Sequence, residues 1–127
     1  MENVRELIPS VRSKEKMHFK IHDRHFSVDP EKILFCKADG SYTKVVIEGN
    51  CPDILVSKRL NRFQRDNSKE MFLRCHYSYL VNIKKVQSFD SLKKSIVLEG
   101  YNIPVSRRKS NHVFRILSDL GIPDVKN

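Results

Sequence analysis

Histidine and cysteine are the side chains most able to do chemistry, and this chain has five of the first and three of the second. His18, His22 and His25 are spaced to converge on one face of a helix, as metal ligands do. Their neighbours read differently: Met17, Phe19 and Ile21 alternate with His18, Lys20 and His22, the pattern of a half-buried strand. Four residues of strand span ~13 Å, too far to share a metal held at ~2 Å from each ligand. His25 could fold back toward His22 across a turn, but no acid or cysteine cluster completes a four-ligand set, so no metal is expected. Cys36, Cys51 and Cys75 are odd in number and lack Cys-x-x-Cys spacing, which argues against a disulfide framework and a zinc ribbon. They read as small, half-buried thiols. Cys75 and His76 are adjacent, and neighbours on a strand point to opposite faces, a poor geometry for proton transfer. No Gly-x-Ser-x-Gly, Walker-type or His-Glu-x-x-His motif occurs, and the four glycines are scattered. The expectation is a protein that is not an enzyme and needs no cofactor.

What remains is electrostatic chemistry. Lys and Arg number 24 against 15 Asp and Glu, a net charge of +9. Such a surplus attracts a polyanion, either nucleic acid or an anionic membrane face. The cations also gather. Lys58, Arg59, Arg62 and Arg65 crowd one segment, and Lys84, Lys85, Lys93 and Lys94 flank a hairpin-like region. Arg107, Arg108, Lys109 and Arg115 lie in a stretch with no acid between Gly100 and Ser118. Apolar runs are far shorter than the ~20 residues that span a bilayer, and Met1-Glu2-Asn3-Val4-Arg5 has no apolar signal region. A cytoplasmic protein that avoids membranes is expected.

Two segments combine polar groups with core residues. In Phe72–Asn82, Arg74, His76, Ser78 and Asn82 sit among apolar neighbours. Buried polar side chains need partners, so His76 and Asn82 read as loop ties, while Arg74 and Tyr77 are open to an anionic ligand or a base. Pro104-Val105-Ser106-Arg107-Arg108-Lys109-Ser110 joins a strand end, a helix cap at Ser106 and three cations. A helix N-terminus favours anions, and basic side chains beside it strengthen the bias.

The elements that must position these groups are mostly short strands. Period-two or apolar segments start at Met17, Phe26 and Ile33, then run from Tyr42 to Glu48 and Asp53 to Val56. Others cover Phe72–Cys75, Tyr79–Asn82, Val86–Phe89, Ser95–Glu99 and Asn102–Val105. Asp39-Gly40-Ser41 and Gly49-Asn50 read as turns. Ser57 is placed to cap a helix that buries Leu60 and Phe63 and leaves Arg59, Arg62 and Arg65 outside. A final helix carries Val113, Phe114, Leu117 and Leu120, and Gly121 with Pro123 stops it. The fold class is mainly β, about ten short antiparallel strands in small sheets with two short helices. Residues 1–16 read as an arm or linker, 17–120 as the domain and 121–127 as a tail.

Taken in order, Ile33-Leu34-Phe35-Cys36, Asp39-Gly40-Ser41-Tyr42-Thr43, Phe72 through Asn82 and Ile103-Pro104-Val105-Ser106-Arg107-Arg108 resemble the LytTR DNA-binding domain of bacterial response regulators. The resemblance covers about residues 17–118. It implies an elongated fold of about ten strands whose loops enter successive major grooves, on paired direct repeats in promoters. It implies double-stranded DNA as partner, with dimers on DNA. Position by position, it places DNA contact at Ser41, Tyr42 and Lys44, then at Tyr77 after His76, then at Arg107. Tyr77 departs from the Arg or Asn common at its position, and its single hydroxyl replaces a two-point hydrogen-bonding group. The receiver domain that usually accompanies such a module does not fit within 127 residues. Beside these contacts, Arg74 joins the DNA-facing set, Arg107 is expected to read guanine, and Lys58, Arg59, Lys84, Lys85 and Arg108 to hold phosphates. Two other readings compete: an RNA-binding module stacking bases on Tyr42, Tyr77 and Tyr79, and a protein-interaction domain that has lost its DNA role.

Overall fold

The computed structural model describes residues 17–21, 24–67 and 70–126, with side chains from Ser27 onward. The expected arm and the side chains of His18, His22 and His25 lie outside the described residues. Ten strands and two helices follow in order: β1 (Met17–Ile21), β2 (Arg24–Val28), β3 (Ile33–Asp39), β4 (Tyr42–Ile47), β5 (Ile54–Val56), α1 (Leu60–Asp66), β6 (Phe72–His76), β7 (Tyr79–Asn82), β8 (Ser88–Asp90), β9 (Ser95–Leu98), β10 (Tyr101–Pro104) and α2 (Ser110–Asp119).

All strand pairs within the sheets are antiparallel. The hairpin β1–β2 stands as its own sheet, β10-β9-β8 form a second, and β5-β4-β3-β7-β6 form the central one. That central sheet buries both faces. On one, Cys36, Val45, Leu80 and Phe72 close over Leu60 and Phe63 of α1. On the other, Phe35, Val46, Leu73 and Val81 pack against Phe89, Ile96 and Ile103 of the small sheet and Val113 and Leu117 of α2. The residues are β-branched or aromatic enough to suit a pleated, buried surface. A bulge between Ile33 and Phe35 shifts the register, so Ile33 faces one core while Leu34 and Phe35 face the other.

Several boundaries differ from the sequence reading for identifiable reasons. Ser57 does not cap α1: the helix starts at Leu60, and Arg59 occupies the cap position without a side-chain bond. Ser106 does not cap α2 either. Its hydroxyl and carbonyl accept from Lys109 N at 3.3 and 3.1 Å, closing a separate turn, and the helix begins only at Ser110. The strand expected from Val86 starts at Ser88, because Asn82 accepts from Lys84 N and turns Ile83–Lys85 into a 3-10 segment. The segment expected as a tail runs along β8 instead, with Phe89 N donating to Pro123 O and Val125 N to Phe89 O. Gly121, with φ of 83°, ends α2 as expected.

Candidate nucleic-acid interface

Strand register decides which loops share an end of the central sheet. β3 and β4 meet in the tight hairpin at Gly40-Ser41, where Gly40 supplies the positive φ (60°) that a two-residue connection requires. β7 runs antiparallel to β3 with Tyr79 opposite Lys37, which puts the β6–β7 turn beside that hairpin. Ala38 N donates to Ser78 O at 2.9 Å and joins the two turns directly. A third segment is drawn to the same end, because Ser106 N donates to Cys75 O at 2.9 Å. Arg107 follows, its carbonyl held by the Ser110 hydroxyl at 3.0 Å. Three elements far apart in sequence thus line up along one rim.

The β6–β7 turn contains no glycine, and side chains hold it. His76 Nδ1 accepts from Ser78 N at 3.0 Å. Arg74 spends four of its five N–H groups nearby. Nε donates to His76 O (2.8 Å) and Nη2 to Tyr77 O (2.5 Å), while Nη1 donates to Asn61 Oδ1 (2.9 Å) and Gln64 Oε1 (2.7 Å). Burial of this guanidinium lowers its pKa, a cost its hydrogen bonds offset. Tyr77, by contrast, stands 79% exposed at the tip.

Two grooves run along the rim. One of ≈ 600 Å³ lies between α1 and the Arg107 segment, with Gln64, Tyr77, Arg107 and Arg108 among its walls. The other, ≈ 410 Å³, has Ser41, Lys58, Arg59, Arg62 and Arg65 among its walls. Asn61 borders both, so the surface is continuous, and among the described residues no carboxylate lines either groove. Asp39 lies at the base of the first hairpin and Asp66 at the end of α1. Asp66 accepts from Lys58 Nζ at 2.8 Å and lies 3.6 Å from Arg62, and that bond to Lys58 lowers its pKa. Among the described residues Arg59, Arg107 and Arg108 form no ion pair.

The sequence-selected residues therefore separate. Ser41, Lys58, Arg59, Tyr77, Arg107 and Arg108 share the rim. Arg74 lines the larger groove as well, with four of its donors committed to the β6–β7 turn and to α1. Tyr42 is exposed at the same hairpin but borders neither groove. Lys44 lies on the opposite sheet face from Thr43 and Val45, 4.0 Å from Asp53. Lys84 and Lys85 fall at the other end of the sheet, paired with Glu31 (3.7 Å) and with Glu48. β7 carries them away from the rim, so the structure does not bring them together with the other expected phosphate-holding cations. Of the three tyrosines of the expected stacking platform, Tyr42 and Tyr77 are exposed, while Tyr79 is half-buried beside Phe35, His76 and Lys37. The sequence reading missed Asn61 and Gln64, which carry no charge to draw attention, and left Lys109 out of the contact set despite its place in the groove.

The buried thiols take no part. Burial pushes the pKa of Cys75 up to about 12 and that of Cys36 higher still, so both stay protonated at neutral pH. Among the described residues no three His, Cys, Asp or Glu side chains cluster as metal ligands, and no helix is long and apolar enough to cross a membrane.

The LytTr DNA-binding domain family model matches residues 23–118, which takes in every element from β2 to α2. The chain belongs to the LytTr DNA-binding domain family. A LytTr DNA-binding domain of a response regulator from Bacillus cereus superposes with a TM-score of 0.64 at 25% identity, covering 83% of this chain and 97% of that one. No curated protein matches significantly. The LytTr family is one of DNA-binding domains and not of enzymes, and the mainly β architecture with two helices agrees with it.

Proposed function

We propose that this LytTr domain binds double-stranded DNA sequence-specifically and thereby controls transcription, with its rim elements entering successive major grooves of paired promoter repeats. The observation that carries this reading is the gathering of the Ser41 hairpin, the Tyr77 turn and the Arg107 segment on one basic rim. Arg107 has no acidic partner among the described residues and is available for two-point contact with guanine O6 and N7. Tyr77 offers one hydroxyl and a ring, suited to a single acceptor or a thymine methyl. Lys58, Arg59 and Arg108 hold phosphates, which position the domain without reading sequence. Arg74 works indirectly, by fixing the turn that presents Tyr77.

Selection of bound sequences from a random duplex pool, repeated at two salt concentrations, tests the proposal. A recovered direct repeat supports both specificity and pairing of domains on DNA. Binding that recovers no motif and only weakens with salt overturns sequence-specific recognition. Preference for single-stranded RNA in a competition experiment would favour the RNA reading instead.

A further inference from the structure

Asn61 and Gln64 are uncharged residues on the outward side of a seven-residue helix, yet both are held in a fixed orientation. Each directs its amide oxygen at Arg74 Nη1, at 2.9 and 2.7 Å. A guanidinium has no acceptor, so the oxygen of each amide must face it and the NH2 group must turn away. Both side chains line the ≈ 600 Å³ groove, whose other walls include Arg107, Arg108 and Lys109 and, among the described residues, no carboxylate. The groove thus combines amide donors fixed from behind with three cations in front. Neutral amides alone suit many acceptors. Combined with cations and no acid, they suit a group that is anionic and accepts several hydrogen bonds at once, which describes a phosphodiester.

We infer that Asn61 and Gln64 form a DNA-backbone phosphate site on α1, oriented by Arg74 and adjoining the Tyr77 and Arg107 elements. This rests on the duplex-DNA reading above and extends it to two residues with no charge. Arg74 then acts twice from one position: its Nε and Nη2 hold the turn that carries Tyr77, while its Nη1 aims the amides. The spacing between base-reading turn and phosphate anchor is set by one guanidinium. A phosphate contact carries no sequence information, so the site adds affinity and fixes docking register rather than choosing bases.

Paired substitutions separate this role from simple loop support. Asn61→Asp with Gln64→Glu keeps an oxygen for Arg74 at both positions but replaces each outward donor with a carboxylate oxygen. The expected result is a thermal midpoint at or above that of the unsubstituted chain, with affinity for specific and unrelated duplexes alike reduced at least about tenfold. The selected motif stays the same. Asn61→Ala with Gln64→Ala removes the donors without adding charge. It should weaken both duplexes by a smaller factor and become insensitive to a methylphosphonate placed at the contacted phosphate, which weakens the unsubstituted chain. Duplex binding unchanged in both double variants would overturn the phosphate site, leaving the amides as loop supports. Arg107→Ala, measured alongside, distinguishes the failures: if it still flattens sequence preference, only the phosphate site has failed. No specific duplex binding by the unsubstituted chain would overturn both readings.

Discussion

The two ends of the central sheet carry the same kind of side chain to different ends. At the end where β3 turns into β4, Arg59, Arg107 and Arg108 border grooves that no carboxylate among the described residues lines. At the other, Lys84 and Lys85 are matched to Glu31 and Glu48, contributed by the segments that flank β3 and β4. Both lysines add to a net charge of +9, but a paired cation contributes little to the field that a polyanion meets. Total charge is therefore a poor guide to where DNA lies. What distinguishes the ends is whether antiparallel pairing brings acids or more cations beside each basic residue.

The largest effect in this comparison is expected from Arg107→Ala. A two-point contact with guanine discriminates by ~1–3 kcal/mol, so the specific duplex should lose about ten- to a hundredfold in affinity. Unrelated duplexes should lose only what one cation contributes, and the two affinities should converge. Competition between specific and unrelated duplexes at fixed salt measures this. Sequence preference that survives the substitution would remove Arg107 from the reading surface.

Arg59→Ala comes next. Arg59 lines the smaller groove and has no ion-pair partner among the described residues. As a phosphate contact its loss should weaken all duplexes by a similar factor, about three- to tenfold, and reduce the salt slope by about 1. An unaltered slope would show that the α1 side of the rim stays clear of the backbone.

How far these distinctions could be seen in advance differs between fold and site. Strands such as Tyr42–Ile47 and the helix bearing Val113 and Leu117 were legible because period-two and helical spacing reflect burial on one face. The two helix starts were less so. Ser57 and Ser106 are both good capping residues, but each precedes a further turn of chain, and a capping preference cannot say which turn becomes the helix. Arg74 shows the limit for the site. Its position among core residues left it open to an anionic ligand or a base, whereas its four partners come from β6, the following turn and α1. Only the assembled sheet fixes those distances. The pairing of Lys85 with Glu48 was hidden for the same reason, since 37 residues separate them.

A smaller effect, of opposite sign, is expected from Asp66→Asn. Among the described residues Asp66 is the one carboxylate in an ion pair with cations of the rim, through Lys58 at 2.8 Å and Arg62 at 3.6 Å. Its removal should release both and raise non-specific duplex affinity by about two- to fivefold, with a steeper salt dependence. The same pair has a pH signature. Because the folded-state pKa of Asp66 is lowered, its contribution to stability is present above the ordinary carboxylate range and fades as pH falls through that range and below. Acid titration of the thermal midpoint should therefore flatten slightly in the Asn variant. Affinity that falls instead of rising would mean that Asp66 orders α1 more than it masks charge.

The smallest effect should come from Lys85→Ala, and its smallness is the test. Lys85 is half-buried against Glu48 at the end away from the rim. Removing it leaves Glu48 without that partner and costs about 0–1 kcal/mol of stability, the range for such partly exposed pairs. Duplex affinity should stay within about twofold and the salt slope should not move, since a cation that already has a counter-charge releases few ions from DNA. Thermal denaturation and a salt titration of binding on the same preparation read both quantities. A loss of affinity as large as that of Arg59→Ala would mean that DNA reaches both ends of the sheet. The contrast between masked and unmasked cations would then give way to a footprint running the full length of β7.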